Sequence, residues 1–282
     1  MAVAYLIRAH HRPEQLVRLV ERLATPNASF FVHLDGRADE LVREALMIGL
    51  ARHDVHWVPR VDVYYSGFSP VRAVVAGLEE IERAGAPPHT VLLSGQCYPL
   101  RPAPAIEAFL AERPGQSLAE HFHLPSERWA EQEGGLKRIR YRHFERFRFR
   151  TKTLSVPLLR RAFPAGLEPW GGSAWSVLSD DAVKAVLAFR DERPDVWRFF
   201  RGVKSADEIF FQTALLNSPL RDHVANETLH YIEWPGGSHP RTFTSADFDR
   251  IAASGKLFAR KFDVARDAEI LDRIDRELLG EG

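Results

Sequence analysis

Thr90-Val91-Leu92-Leu93-Ser94-Gly95-Gln96-Cys97-Tyr98-Pro99-Leu100 is the stretch whose reading decides the fold. Residues 90–93 form an unbroken strand-forming run, the pattern of a strand buried on both faces of a parallel sheet. Ser94-Gly95-Gln96 ends it with small and polar residues, which suits a strand end that a ligand's backbone-close approach requires. The chain before it repeats the same alternation. Val3–Ile7 reads as a first strand, and Glu14–Leu23 as a helix with Leu16, Leu19, Val20 and Leu23 at helical spacing. Ser29–Leu34 is a second strand, Glu40–Leu50 a helix, and His56–Tyr65 holds one or two strands. Ser69-Pro70 supplies an N-cap followed by proline at the first helical position, and the helix runs through Val71, Val74, Val75, Leu78 and Ile81. Pro102 and Pro104 open another helix to about Leu110. Strand and helix thus alternate four times over residues 1–111, which predicts an α/β sheet with helices on its faces. Ligands of such sheets bind at the carboxyl ends of the strands. Here those ends are Arg8-Ala9-His10, Asp35-Gly36, Tyr65-Ser66-Gly67 and Ser94-Gly95-Gln96.

The second half is less regular. Residues 136–152 are strongly basic, with Lys137, Arg138, Arg140, Arg142, Arg146, Arg148, Arg150 and Lys152 interleaved by Phe144, Phe147 and Phe149. Gly171-Gly172 precedes a strand over Ser173–Leu178. Asp180–Phe189 and Asp207–Asn217 read as helices, Leu229–Glu233 as a strand, Ala246–Ala253 as a short helix and Val264–Leu279 as an amphipathic C-terminal helix. No repeat or low-complexity linker divides the chain, so the reading is one elaborated domain over residues 1–282.

Composition excludes several classes. Lys+Arg and Asp+Glu both number 38, so the net charge is zero and bulk attraction to nucleic acid is not expected. The single cysteine, Cys97, excludes an internal disulfide and a cysteine zinc knuckle. No run approaches the roughly 18 apolar residues of a membrane span, and no signal peptide opens the chain.

Neither G-x-x-x-x-G-K-[ST] nor G-x-G-x-x-G occurs, nor do G-x-S-x-G and H-E-x-x-H. His121 and His123 fall on one strand face, but no third metal ligand accompanies them, so packing is the better reading. Asp207-Glu208 opens the apolar run Ile209-Phe210-Phe211. A carboxylate there is either a helix cap or a general base projecting into a cleft. No Asp-x-Asp follows the strand ending at Asp35, so a metal-held nucleotide-sugar site is not indicated. Arg260 and Lys261 are either surface cations or a phosphate clamp.

Six segments taken in order resemble the core-2/I-branching β-1,6-N-acetylglucosaminyltransferases and their peptide xylosyltransferase relatives. They are Val32-His33-Leu34-Asp35, Tyr65-Ser66-Gly67-Phe68-Ser69, residues 92–100, Gly172-Ser173-Ala174-Trp175, residues 206–213 and Leu257-Phe258-Ala259-Arg260-Lys261-Phe262-Asp263. The resemblance implies a GT-A-like (Rossmann-like) mixed sheet, with residues 1–111 as the nucleotide-binding half and 112–282 as the acceptor and catalytic half. It implies an inverting glycosyltransferase that moves GlcNAc or xylose from a UDP-sugar to a glycan or other hydroxyl acceptor with no metal cofactor. Glu208 would be the catalytic base. Asp35, Tyr65, Lys261, Arg260 and His230 would bind the donor, and Glu120, Arg128 and Trp175 the acceptor. Three positions depart from the family: Cys97 stands where Asp is usual, His230 where an Arg is expected, and Ser66 where Gly is common. The chain begins almost at its first strand, which the resemblance reads as a bacterial-type cytoplasmic enzyme. The rival reading is a non-catalytic protein of the same fold whose basic segment 136–152 binds a glycan, an anionic polymer or, peripherally, a membrane surface.

Overall fold

The computed structural model describes residues 3–149, 152–236 and 239–280; the side chains of residues 146–149 and 152–159 lie outside that description. The strands are β1 (Val3–Ala9), β2 (Ala28–Leu34), β3 (Val55–Trp57), β4 (His89–Ser94), β5 (Cys97–Pro99), β6 (Ser117–Leu118), β7 (His121–His123), β8 (Tyr141–Phe149), β9 (Lys152–Arg160), β10 (Trp170–Gly172), β11 (Val177–Ser179), β12 (Val224–Ala225), β13 (His230–Ile232) and β14 (Phe258–Arg260). The α-helices are α1 (Pro13–Leu23), α2 (Glu40–Gly49), α3 (Ser69–Arg83), α4 (Ala103–Ala111), α5 (Leu136–Arg140), α6 (Asp180–Glu192), α7 (Pro194–Phe200), α8 (Phe210–Leu216), α9 (Phe248–Ala253) and α10 (Glu269–Ile274).

Among the described residues, seven strands make the main sheet in the order β12-β6-β11-β4-β1-β2-β3. β1 lies parallel between β2 and β4, β3 extends the parallel edge, and β11 joins β4 antiparallel. This is the mixed α/β sheet flanked by helices that the alternation predicts. Successive side chains of a strand point to opposite faces, and β1 uses both. Tyr5 and Ile7 pack with α1 and α10 residues on one side, while Ala4 and Leu6 pack with residues of α3, α6 and α8 on the other. A smaller sheet, β13-β14-β5, carries Arg260 opposite Cys97.

Several local expectations give way to tertiary packing. Residues 58–65 form no second strand. Ser69 is the first residue of α3 and not its cap: its hydroxyl accepts from Tyr64 N at 2.7 Å. The capping acceptor is Glu145 Oε2 on β8, which takes Phe68 N and Ser69 N at 2.9 Å each, placing a negative charge where a helix N-terminus favours it. Residues 173–176 lie outside any strand, between β10 and β11. Asp207-Glu208 sits in a 3-10 turn (Ala206–Glu208) ahead of α8. The C-terminal helix is shorter than its pattern suggests, with α10 passing into a π-turn over Asp275–Leu279.

Candidate active site

The Tyr65-Ser66-Gly67 loop and the Asp207-Glu208 turn are tied together. Ser66 and Ser205 both adopt left-handed backbone (φ 59° and 49°), which costs a non-glycine residue about 1–2 kcal/mol. Ser205 N donates to Ser66 O at 2.8 Å and Ala206 N to Gly67 O at 3.3 Å. Such strain persists only where the surroundings impose it, and here it sets two adjacent carboxylates facing different ways. Asp207 Oδ2 lies 3.5 Å from the Arg8 guanidinium at the end of β1. Glu208 Oε2 accepts from Arg138 on α5.

Glu208 opens onto a cleft of about 260 Å³ whose walls include Glu120, Trp129, Trp175, His230 and Trp234. The two glycines of β10 make its close packing possible. A Cβ on Gly172 would stand 1.8 Å from the Glu120 carbonyl oxygen, and one on Gly171 would stand 2.7 Å from the Trp129 ring. Burial pushes the Glu208 carboxyl above the ordinary carboxylate range, against the opposing pull of Arg138. Arg128, the second arginine of this wall, pairs with Glu120 and lies 5.2 Å over the Phe122 ring. The cleft therefore brings together Glu208, Glu120, Trp175 and His230 of the singled-out residues. A larger depression of about 610 Å³ on the outer face of α1 involves none of them, and its Arg18 and Arg22 are engaged by Asp272 and Asp275.

Beyond Trp175 the surroundings become cationic. The Arg260 guanidinium stacks 4.2 Å from the Trp175 ring centre and that of Arg8 at 5.0 Å. Arg260 donates to Ser94 Oγ, and Cys97 Sγ lies 3.4 Å from that hydroxyl. Ser94 thus supplies an oxygen that holds Arg260, with the Cys97 thiol beside it. Lys261 follows, with no carboxylate in ion-pair distance among the described residues; burial and then Arg260 lower its ammonium pKa. Desolvation, followed by His11, pushes the His10 imidazole down to about 4, with Asp35, Arg260 and Lys261 also acting on it. Asp35 closes the end of β2, its Oδ1 accepting Arg37 N at 2.9 Å and Val63 N at 3.1 Å. Tyr65 is exposed and stacks on His239 at 5.5 Å.

His230 stands where the resemblance expects an Arg, and it is not an equivalent of one. Its ring is buried between Trp175 and the stacked Phe258. Burial, then Arg260 and Lys256, push its pKa down to about 3, so it is neutral near pH 7 and brings no charge to an anion. His121 and His123 both pack edge-on against Trp170. Among the described residues no group of three His, Cys, Asp or Glu side chains is placed to share a metal ion.

Sequence reasoning passed over Arg138, treating it as one of many cations in segment 136–152. Nothing local sets it apart from Lys137 or Arg140, and its partner lies 70 residues away. The outer part of that segment, at Arg146, Arg148, Arg150 and Lys152, lies outside the described residues and side chains. Among the described residues no helix is long and apolar enough to cross a membrane.

The profile of the Core-2/I-Branching enzyme family matches residues 3–253. The chain is 26% identical over 303 residues to xylosyltransferase 2 of Rattus norvegicus, covering 99% of this chain and 34% of that protein. It thus spans about a third of the length of the curated relatives it matches. It is also 35% identical over 127 residues to beta-glucuronosyltransferase GlcAT14A of Arabidopsis thaliana, covering 44% of this chain and 28% of that protein. Among solved structures it is similar to S. aureus TarS residues 1–349 in complex with UDP, at a TM-score of 0.44 and 11% identity, covering 98% of this chain and 65% of that one.

Proposed function

This chain belongs to the Core-2/I-Branching enzyme family, and from that premise we propose that it is an inverting glycosyltransferase. It moves a sugar, GlcNAc or xylose, from UDP to the hydroxyl of a glycan or similar acceptor without a metal ion. The observation that carries the reading is the position of Glu208. It is a carboxylate between an aromatic cleft and a cluster of cations in which Arg8 pairs with Asp207, while Arg260 and Lys261 have no carboxylate in ion-pair distance among the described residues.

Glu208 accepts the proton of the acceptor hydroxyl as that oxygen bonds to the anomeric carbon, from the face opposite UDP. The bond from that carbon to the β-phosphate oxygen breaks, and its electron pair leaves with UDP. Arg260 and Lys261 neutralise the charge that develops on the diphosphate, in a setting where positioned cations act more strongly than in water. Asp35, at the end of β2, and Tyr65, in the loop before α3, are the residues that would meet the nucleoside. The aromatic wall of Trp129, Trp175 and Trp234 offers faces to the sugar rings, with Glu120 and Arg128 at the acceptor end.

The test is UDP release from UDP-xylose and UDP-GlcNAc against a panel of hydroxyl acceptors. Glu208→Gln keeps the size of the side chain and removes the base, so turnover should fall by about two orders of magnitude with UDP affinity unchanged. Near-native turnover in that variant removes Glu208 from the role. Tight UDP-sugar binding without release under any acceptor would make the chain a binding protein.

A further inference from the structure

We propose that Arg138 is a positioning residue for Glu208: it fixes one carboxylate oxygen and leaves the other to face the acceptor. This rests on the reading of Glu208 as the base. Three restraints hold the guanidinium. Its Nη1 donates to Glu208 Oε2, its Nε donates to Gln132 Oε1 at 2.6 Å, and its plane lies 3.6 Å over the Trp129 ring. The backbone is tied as well, since Arg138 O accepts from Lys204 N at 3.1 Å, immediately before the Ser205–Glu208 turn. The side chain is only 10% exposed, against 28% for Glu208. An arginine so enclosed has no freedom to leave for solvent, and its contact with the carboxylate uses one oxygen. Glu208 Oε1 has no hydrogen-bond partner among the described residues.

A planar, always-charged guanidinium suits this task better than an ammonium, because its fork is rigid and its face stacks on an aromatic ring. The pair also answers an electrostatic need. A carboxylate in a desolvated cleft tends to take up a proton and cease to be a base, and an adjacent cation opposes that. The groups that face Glu208 are Arg138 from α5, Lys204 from the loop after α7, Asp207 from the same turn and Tyr65 from the loop before α3. Asp207 pushes the proton affinity up and is itself paired to Arg8, and Lys204 pulls the same way as Arg138. Arg138 is the one of the four that touches the carboxylate.

Two variants and two readouts test this. Arg138→Met keeps a flat aliphatic stem on Trp129 and removes the charge; Arg138→Lys keeps the charge and loses the fork. With UDP-xylose or UDP-GlcNAc and UDP release as the signal, Arg138→Met should lower kcat about tenfold to a hundredfold through lost alignment. It should also move the acidic limb of the pH profile up by about one unit or more, with UDP affinity within about twofold. Arg138→Lys should restore the limb and only part of kcat. The second readout needs no turnover: the Glu208 carboxyl carbon, followed by NMR in labelled protein, should titrate at higher pH in Arg138→Met. An unmoved titration overturns the proposal, as does an unmoved limb. If Arg138→Met fails to fold, the same titration in Arg138→Gln, which also removes the charge, decides it by the same two outcomes. Failure of the base itself is distinguishable, because Glu208→Gln would then retain turnover whatever Arg138 does.

Discussion

The side of the cleft around Glu208 and Glu120 and the strand ends beyond Trp175, two walls of one site in the proposed reading, handle positive charge differently. On the acceptor wall each arginine has its carboxylate, Arg138 with Glu208 and Arg128 with Glu120. At the strand ends Arg8 pairs with Asp207, but Arg260 has only a hydroxyl and an aromatic face, and Lys261 has no carboxylate in ion-pair distance among the described residues. Burial lowers both cations' pKa values, and their mutual repulsion adds to the effect at Lys261. A wall balanced within itself suits an uncharged partner such as a sugar hydroxyl. A wall with depressed cations lacks an anion, and the diphosphate of a nucleotide-sugar would complete it. The contrast supports the donor and acceptor sides proposed above.

The largest expected effect breaks the unbalanced wall. Arg260→Gln should reduce turnover about a hundredfold to a thousandfold, the usual worth of a donor aimed at developing charge, and should weaken UDP binding in calorimetry. Unchanged UDP affinity would place the diphosphate elsewhere. Next is Lys261→Ala, expected to weaken UDP about tenfold, the scale of one charge-assisted hydrogen bond. Activity should persist in EDTA if these two cations carry the leaving group; complete loss restored by Mn²⁺ would overturn that. The two walls should also differ in stability. Lys261→Ala relieves repulsion, so the unliganded protein should melt at the same temperature or higher. Arg138→Met leaves a buried carboxylate unpaired, so it should melt lower. Equal shifts of one sign would dissolve the contrast.

Why some of this was legible in the chain and some was not follows from what each feature depends on. The parallel core was readable because β1, β2 and β4 are buried on both faces and must be apolar almost throughout, whatever their neighbours. Asp35 and Ser94 were readable for the same reason, since topology alone puts strand ends together, whereas Tyr65 ends no strand and stands in the loop before α3. The resemblance reads Ser66 as replacing a glycine, and its φ of 59° is a conformation that glycine adopts most freely. The cap of α3 was misread because Glu145 arrives from 77 residues further along the chain. Arg138 was missed for the same kind of reason. Charge pattern reports how many cations a segment carries, and only tertiary structure reports which one turns inward. Likewise the sequence shows only that His230 stands where the resemblance expects an Arg, and its enclosure by Trp175 and Phe258 is visible only in the structure.

A smaller effect probes the balanced wall. The Arg128–Glu120 pair is partly exposed, and such pairs contribute about 0–1 kcal/mol to stability. Glu120→Gln should therefore leave the melting temperature within about four degrees, since a chain of this size moves about 2–4 °C per kcal/mol. If Glu120 contacts the acceptor, its KM should rise while UDP affinity stays constant. A rise in the KM of the donor instead would move Glu120 to the other wall.

The smallest effect concerns His230, which lies between the walls and belongs to neither by charge. Neither ring nitrogen has a hydrogen-bond partner among the described residues, and the ring is already stacked on Phe258 at 5.3 Å. Phenylalanine of similar shape should be accommodated, and His230→Phe should leave UDP affinity near native because no charge is lost. Its signature is in pH dependence. The folded pKa of His230 is depressed to about 3, against roughly 6.5 in an unfolded chain. The unfolded state thus binds the proton more readily, and acid favours unfolding through this group. Its contribution is fully present above pH of about 6.5 and is lost progressively as pH falls towards the folded value of about 3. Other groups titrate in both proteins alike, so the difference between the native and His230→Phe stability curves isolates the ring. That difference should be flat above neutrality and should widen in favour of the variant as pH falls. Parallel curves through the acid range would mean that His230 is charged in the folded protein. It would then join Arg260 and Lys261 as a third cation on the donor wall.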